Sequence, residues 1–179
     1  MPVVRGRTIR VLLGAAEIAA RNAQLAMEIA AAGYENLLVV SILKGSFVFA
    51  ADLIRALHDA GLSPEVEFLS VSSYGTGTVS SGAVHVLRDI DSDVSGRDIL
   101  LIDDILESGR TIAFCRDLML ARHARRVGVA VLLEKPGKRA QVIEADHVGF
   151  ICPDLFVVGY GMDAAHAFRE LPFVGVVED

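Results

Sequence analysis

Two cysteines, no excess of basic charge and no unbroken apolar span characterise this 179-residue chain by what it lacks. Cys115 and Cys152 lie far apart, and neither stands at metal-ligand spacing. Both read as reduced core thiols of a cytoplasmic protein. Seventeen Lys and Arg against 23 Asp and Glu leave a net charge of −6 and a pI near 5.3. That balance gives no general polyanion-binding face, so nucleic acid is not an expected partner and any phosphate site must be local. Lys44 splits the most apolar region, and no membrane span is expected. The opening MPVVRGRTIRVLLGAAEIAA has basic residues and an apolar run. Glu17, Arg21 and Glu28 recur there as in an amphipathic helix, so no targeting segment is read. The five histidines, His58, His85, His123, His147 and His166, show no paired metal spacing. There is no internal repeat and no low-complexity tract.

What is present is apolar. A composition 53% hydrophobic suits one domain burying roughly 70% of its unfolded surface. A mean hydropathy of +0.47 without a membrane segment predicts apolar surface buried between subunits, as in a homodimer or homotetramer. Residues 12 to 32 read as a helix that Gly33 ends. Leu37 to Leu43 reads as a buried strand stopped by Lys44. Ser46 is placed to cap the next helix, which carries Phe47, Phe49, Leu53 and Leu57. Val66 to Val71 gives a second strand, Ser72 to Gly82 a Ser/Gly/Thr loop, and Ala83 to Leu87 a hairpin partner. Further on, a helix runs to about Ala124 with Ile112, Cys115, Leu118 and Met119 along one buried stripe. Val127 to Leu133 is a buried strand, and Val148 to Cys152 and Phe156 to Val158 are short strands parted by Pro153. Strands alternating with helices in this order give a mostly parallel sheet wound on both faces.

The stretch from Ile99 to Phe114, ILLIDDILESGRTIAF, carries the chemistry. Ile99 to Ile102 suits a strand buried on both faces, with Asp103 and Asp104 where the strand leaves the sheet at its carboxyl end. Ligands of open α/β sheets bind there. Ser108, Gly109, Arg110 and Thr111 then offer backbone N–H groups, two hydroxyls and a guanidinium at a helix N-terminus, which is an anion cradle. Carboxylates want hydroxyls or a metal; the cradle wants phosphate. A ribose 5-phosphate satisfies both. Read alone, the aspartates could solvate a strand end or cap a helix. A receiver-type acidic pair would follow a strand near the chain start, and a P-loop would need a Lys and a longer Gly-rich loop.

These sixteen residues closely resemble the phosphoribosyl-diphosphate signature of the type I phosphoribosyltransferases. Leu43-Lys44-Gly45, Ser72-Ser73-Tyr74-Gly75, Lys135 and the run DLFVVGYGMD from Asp154 to Asp163 resemble the hypoxanthine-guanine branch of that family. The likeness extends from about Leu37 to the C-terminus. It implies a mostly parallel twisted sheet flanked by helices, with a small hood from the terminal segments. The whole of 1–179 would then be a single domain, with its core at roughly 35–150, its hood at roughly 1–15 and 151–179, and a mobile loop at 72–82.

The reaction implied by the resemblance is displacement of diphosphate from phosphoribosyl diphosphate by N9 of a 6-oxopurine, giving IMP or GMP. Asp103 and Asp104 would hold the 2- and 3-hydroxyls, and Glu107 matches the general base facing the purine N7. Mg²⁺ is the implied cofactor, with Asp163 as ligand, in part through water, and Asp103 and Asp104 beside it. Lys44, with Gly45, and Arg169 match the diphosphate contacts, and the Leu43–Lys44 peptide matches a position that can be cis. Lys135 matches the donor to the purine O6, Phe156 the stacking aromatic, Val157 the backbone that reads the ring edge, and Ser73 and Tyr74 the closing loop. Two positions depart from the pattern: the family more often has Asp where Glu107 stands and Glu where Asp103 stands. A xanthine- or pyrimidine-preferring transferase and a non-catalytic phosphoribosyl-diphosphate sensor are the alternative readings.

Overall fold

The computed structural model describes residues 1–73 and 84–178, Ser73 by its backbone alone. In chain order the elements are β1 (Val3–Val4), β2 (Arg7–Leu13), α1 (Ala15–Ala31), β3 (Leu38–Leu43), α2 (Phe47–Asp59), β4 (Glu65–Ser73), β5 (Val84–Arg88), β6 (Asp98–Leu106), α3 (Arg110–Ala121), β7 (Arg126–Glu134), β8 (His147–Ile151) and β9 (Val174–Glu178). The apolar, β-branched segments become the parallel strands of a six-stranded sheet ordered β5-β4-β3-β6-β7-β8, in which only β5 runs antiparallel. Side chains alternate across it. Leu100 and Ile102 join α1 and α2 on one face, whereas Ile99 and Leu101 join Ile112, Cys115 and Met119 of α3 on the other. The sheet is therefore covered on both sides, as the alternation of strands and helices predicts.

That order creates a switch point. From β3 the chain crosses through α2 to β4 on one side, and from β6 it crosses through α3 to β7 on the other. The crevice between the carboxyl ends of β3 and β6 is where doubly wound sheets place ligands. β3 and β6 pair only from Leu38↔Ile99 to Ser41↔Ile102, and β6 continues beyond that along β7 alone. A second, antiparallel sheet of β1, β2 and β9 ties the two chain ends together, from Thr8↔Glu178 to Leu13↔Val174.

Four local expectations change. Asp103 and Asp104 lie within β6, which runs on to Leu106; Asp103 pairs with Val131 and Ile105 with Leu133, so the ladder to β7 carries the strand past the acids that the apolar run alone places at its exit. The helix begins at Ala15 because Leu12 and Leu13 finish β2, held by a partner strand some 160 residues away that local pattern cannot show. Ser46 does not cap α2 through its side chain. Its hydroxyl donates back to the Ile42 carbonyl and meets Ser41 Oγ at 2.8 Å, a closer pair of partners inside the sheet end. Phe156 to Val158 is not a strand, since only Val158 bridges, to Gly175. The loop reading at 72–82 falls outside the described residues, apart from Ser72 and Ser73, which end β4.

Candidate active site

Two adjoining cavities of about 290 and 530 Å³ open at the switch point. Leu43, Lys44, Gly45, Asp104 and Glu107 line both, which makes them lobes of one cleft. The first lobe adds Asp103, Ser108, Gly109 and Thr111. The second adds Lys135, Phe156, Val157, Asp163 and Arg169. Arg110, the first residue of α3, lines neither lobe. Tyr74 and the Ser73 side chain lie outside the described residues. The Leu43–Lys44 peptide bond is cis.

Asp103 is only 8% exposed. Burial and then the adjacent Asp104 charge push its carboxyl well above the usual carboxylate range. Strand alternation aims it toward α3, where burial first and Asp103 second raise the Cys115 thiol to about 12. Asp104 is raised as well, by burial, and the Arg169 guanidinium offsets this only in small part. Their close hydrogen-bond partners are amides: Asp104 N–H donates to Asp103 Oδ1 and Ile105 N–H to Asp104 Oδ1, both at 2.9 Å. The Asp104 carboxylate lies against Gly45 so closely that a Cβ there would overlap its Oδ2. Here only glycine admits the acid.

Beyond β6 the chain turns sharply at Gly109, whose φ of 78° lies in the left-handed region that glycine accepts without strain. The N-terminal amides of α3 have no preceding helical carbonyl, so they can meet an anion. Glu107 sits between the lobes with Lys138 Nζ 3.7 Å from its Oε1, and the same ammonium lies 2.6 Å from Asp154 Oδ1. Behind the turn, Arg139 Nη1 donates to the carbonyls of Leu106 and Glu107, and its Nη2 to Glu134.

The second lobe is assembled from separate segments. Lys135 is buried, and its Nζ donates to the Leu155 carbonyl at 2.7 Å, which fixes the ammonium at the cavity wall. Phe156 is 66% exposed, with its ring on the cleft rather than in the core, while Val157 is buried. Asp163 Oδ1 lies 2.7 Å from Arg169 Nη2, and its Oδ2 accepts from the His166 amide at 2.7 Å. Arg169 also donates to the Gly161 carbonyl at 2.6 Å. Gly161, with φ of 99°, packs so tightly on the Gly45 carbonyl that a Cβ would overlap it, which locks the C-terminal segment to the end of β3.

Magnesium fits this donor set. Asp104 and Asp163 give hard oxygens in one lobe, and Mg²⁺ characteristically takes one or two carboxylates together with waters and a ligand's phosphates. Among the described residues no three metal-ligating side chains form a cage. Arg139, Glu134 and Gly161 also shape the site, and the sequence pattern did not single them out. Arg139 follows a Pro-Gly turn and reads there as solvated loop charge; Gly161 had a signal in the G-Y-G spacing of residues 159 to 161.

The fold and the cleft define a doubly wound α/β protein whose switch-point cleft joins two adjacent acids of β6 to the N-terminus of α3. The phosphoribosyl transferase domain model matches residues 12–165. The hypoxanthine-guanine phosphoribosyltransferase of Bacillus subtilis is 43% identical over 170 residues, covering 94% of this chain and 93% of that protein. A bifunctional TilS/HprT protein of Listeria innocua is 45% identical over 171 residues, and the chain spans about a quarter, 26%, of its length. The solved structure of a Trypanosoma cruzi hypoxanthine phosphoribosyl transferase superposes with a TM-score of 0.90 at 34% identity, covering 99% of this chain and 95% of that one. This chain belongs to the phosphoribosyltransferase family.

Proposed function

We propose that this chain carries out purine salvage, moving the 5-phosphoribosyl group of phosphoribosyl diphosphate to N9 of hypoxanthine or guanine with release of diphosphate. One observation carries the reading: the two lobes meet at Lys44, Gly45, Asp104 and Glu107, so a single ligand can place a phosphate at the Ser108–Thr111 amides and a base against Lys135 and Phe156. Between those ends Asp103 and Asp104 take the ribose hydroxyls, whose hydrogen bonds and developing positive charge suit one buried and one half-buried acid with little counter-charge. Lys44 and Arg169 hold the diphosphate. When bound, Mg²⁺ on Asp104 and Asp163 supplies charge neutralisation for the leaving group. Glu107 faces the purine and takes its proton. Lys135 donates to an oxo group and presents no acceptor, so it disfavours an exocyclic amine at the same position.

The chain acts as a single domain with its core at about 35–150, the β1–β2–β9 sheet contributing its hood. We place it in the cytoplasm as a homo-oligomer, on the strength of two free buried thiols and a positive mean hydropathy. No helix of the described residues is long and apolar enough to cross a membrane. The test is a spectrophotometric assay with phosphoribosyl diphosphate, Mg²⁺ and, in turn, hypoxanthine, guanine, xanthine, adenine and uracil. Turnover with the first two supports the reading. Turnover confined to xanthine or uracil replaces the substrate, and no turnover with any base leaves a non-catalytic sensor.

A further inference from the structure

The turn between β6 and α3 is held from behind by a segment the reaction does not use. Its carbonyl oxygens are taken in succession. The Leu106 carbonyl accepts from the Lys135 amide at 2.9 Å and from Arg139 Nη1 at 3.1 Å. The Glu107 carbonyl accepts from the same Nη1 at 2.8 Å. The Ser108 carbonyl accepts from the amides of Ala140 and Gln141 at 2.8 and 3.2 Å, and the Gly109 carbonyl from Ala113 within α3 at 2.9 Å. Underneath, a Cβ at Gly109 would stand 2.5 Å from Ile143 Cγ2 and 3.4 Å from Arg139 Cδ, so the 139–143 segment touches the turn along its length. Glu134, the last residue of β7, holds the other arm of the guanidinium.

In a planar trans peptide the C=O and the following N–H point in opposite directions. Carbonyls drawn back toward Arg139 and residues 140–141 therefore turn the N–H groups of Glu107, Ser108 and Gly109 away from that segment and toward the cleft. We infer that Arg139 is a positioning residue for phosphoribosyl-diphosphate recognition: its guanidinium, braced by Glu134, sets the peptide orientation that makes the turn an anion receptor. The inference rests on the function proposed above and assigns Arg139 no contact with substrate. Arginine suits the role because one planar group serves two carbonyls and a carboxylate at once, whereas a lysine ammonium is a point charge without that fixed geometry.

The experiment compares wild type with Arg139→Met, Arg139→Lys and Glu134→Gln, using steady-state kinetics for both substrates and calorimetric binding of ribose 5-phosphate. Circular dichroism and melting identify variants that are folded at the assay temperature. In Arg139→Met, KM for phosphoribosyl diphosphate and the ribose 5-phosphate Kd both rise roughly tenfold to hundredfold, the scale of losing charge-assisted hydrogen bonds, while KM for hypoxanthine moves less than about threefold. Arg139→Lys falls between, and Glu134→Gln shifts the same two constants in the same direction by a smaller factor. Unchanged ribose 5-phosphate affinity in the folded Met variant overturns the inference, as does an equal rise in KM for both substrates. If Arg139→Met does not fold, Glu134→Gln and Arg139→Lys decide by the same ratio. A wild type whose ribose 5-phosphate affinity falls in Arg139→Met yet which turns over no base overturns the proposed function and leaves the positioning role standing; active wild type with an indifferent Arg139→Met does the reverse.

Discussion

Strand β6 carries a buried acid, Asp98, at its amino end and a buried and a half-buried one, Asp103 and Asp104, at its carboxyl end, and the fold treats the two ends in opposite ways. Asp98 receives Arg125 Nε at 2.8 Å, Arg125 Nη2 at 2.7 Å and the Glu35 amide at 2.8 Å. The Arg125 hydrogen bonds, then the Glu35 amide, hold its carboxyl below the usual carboxylate range against the opposing effect of burial. Asp103 and Asp104, five and six residues along the same strand, are pushed above that range because burial is not matched by a counter-charge. The difference separates scaffolding from site. Where the chain itself provides the cation the acid fastens β6 to its neighbours, and where it provides almost none, the proposed function gives the acids a ligand's hydroxyls or a metal as partners.

The strongest way to break this comparison is to neutralise one acid at the open end. Asp104→Asn keeps the volume and the Ile105 amide bond but removes charge from the side of the cleft proposed to hold the ribose. Turnover is expected to fall by about a thousandfold, the scale of losing a preorganised charge at a reacting centre. Steady-state assay with hypoxanthine checks it, and near-wild-type turnover would make the acid a structural feature like Asp98. A subtler break moves Asp104 without changing its charge. The Cβ of Gly45→Ala would overlap Asp104 Oδ2, so the carboxylate must shift. Misplacement of that order is expected to cost roughly tenfold to a hundredfold in kcat/KM, with a circular dichroism spectrum like that of wild type.

The same contrast explains what could be read from the sequence. The open end of β6 is contiguous: the acids, the turn and the start of α3 fall within a dozen residues, so residue type and spacing alone indicate a sugar phosphate. The second lobe gathers residues 43–45, 135, 156–157, 163 and 169 from five places, and no local pattern joins them. Resemblance to a family supplied those positions. The exposed ring of Phe156 and the buried ammonium of Lys135 invert what their residue types ordinarily do, which is why composition was a poor guide there. The parallel sheet was legible because its central strands β3, β6 and β7 are built on runs rich in Val, Ile and Leu. β2 was not, because its partner β9 comes at the other end of the chain. Asp98 was passed over for a related reason: Arg125 and Glu35, which make it a scaffold, stand 27 and 63 residues away.

At the closed end, Asp98→Ala strands the Glu35 amide and removes the charge-assisted bonds from Arg125. Its expected cost is about 2–3 kcal/mol of stability, measured by urea denaturation at pH 7, with kcat per folded molecule unchanged. A loss of kcat at constant folded fraction would show that Asp98 reaches the chemistry. Such a result would erase the distinction between the two ends of the strand.

The smallest effect tests the comparison most directly, because the two ends should respond to pH with opposite sign. The carboxyl of Asp98 is lowered in the folded state, so its contribution to stability is full above its unfolded pKa of about 4 and is lost as pH falls through the lower folded value. Asp104 is raised in the folded state. Its burden is absent below about pH 4, because both states are then protonated, and it grows as pH climbs from there toward the folded value. With divalent cations chelated, Asp104→Asn should therefore stabilise the free protein at pH 7 by about 1 kcal/mol, the low end of the cost of a desolvated, poorly compensated polar group. Asp98→Ala should destabilise it at the same pH, and both differences from wild type should shrink toward pH 3. Melting curves of the three proteins between pH 3 and 7 report this as two difference curves of opposite sign that converge on acidification. Two curves of the same sign at neutral pH would mean that Asp104 has a counter-charge within the fold and that the open end of β6 is not waiting for a ligand.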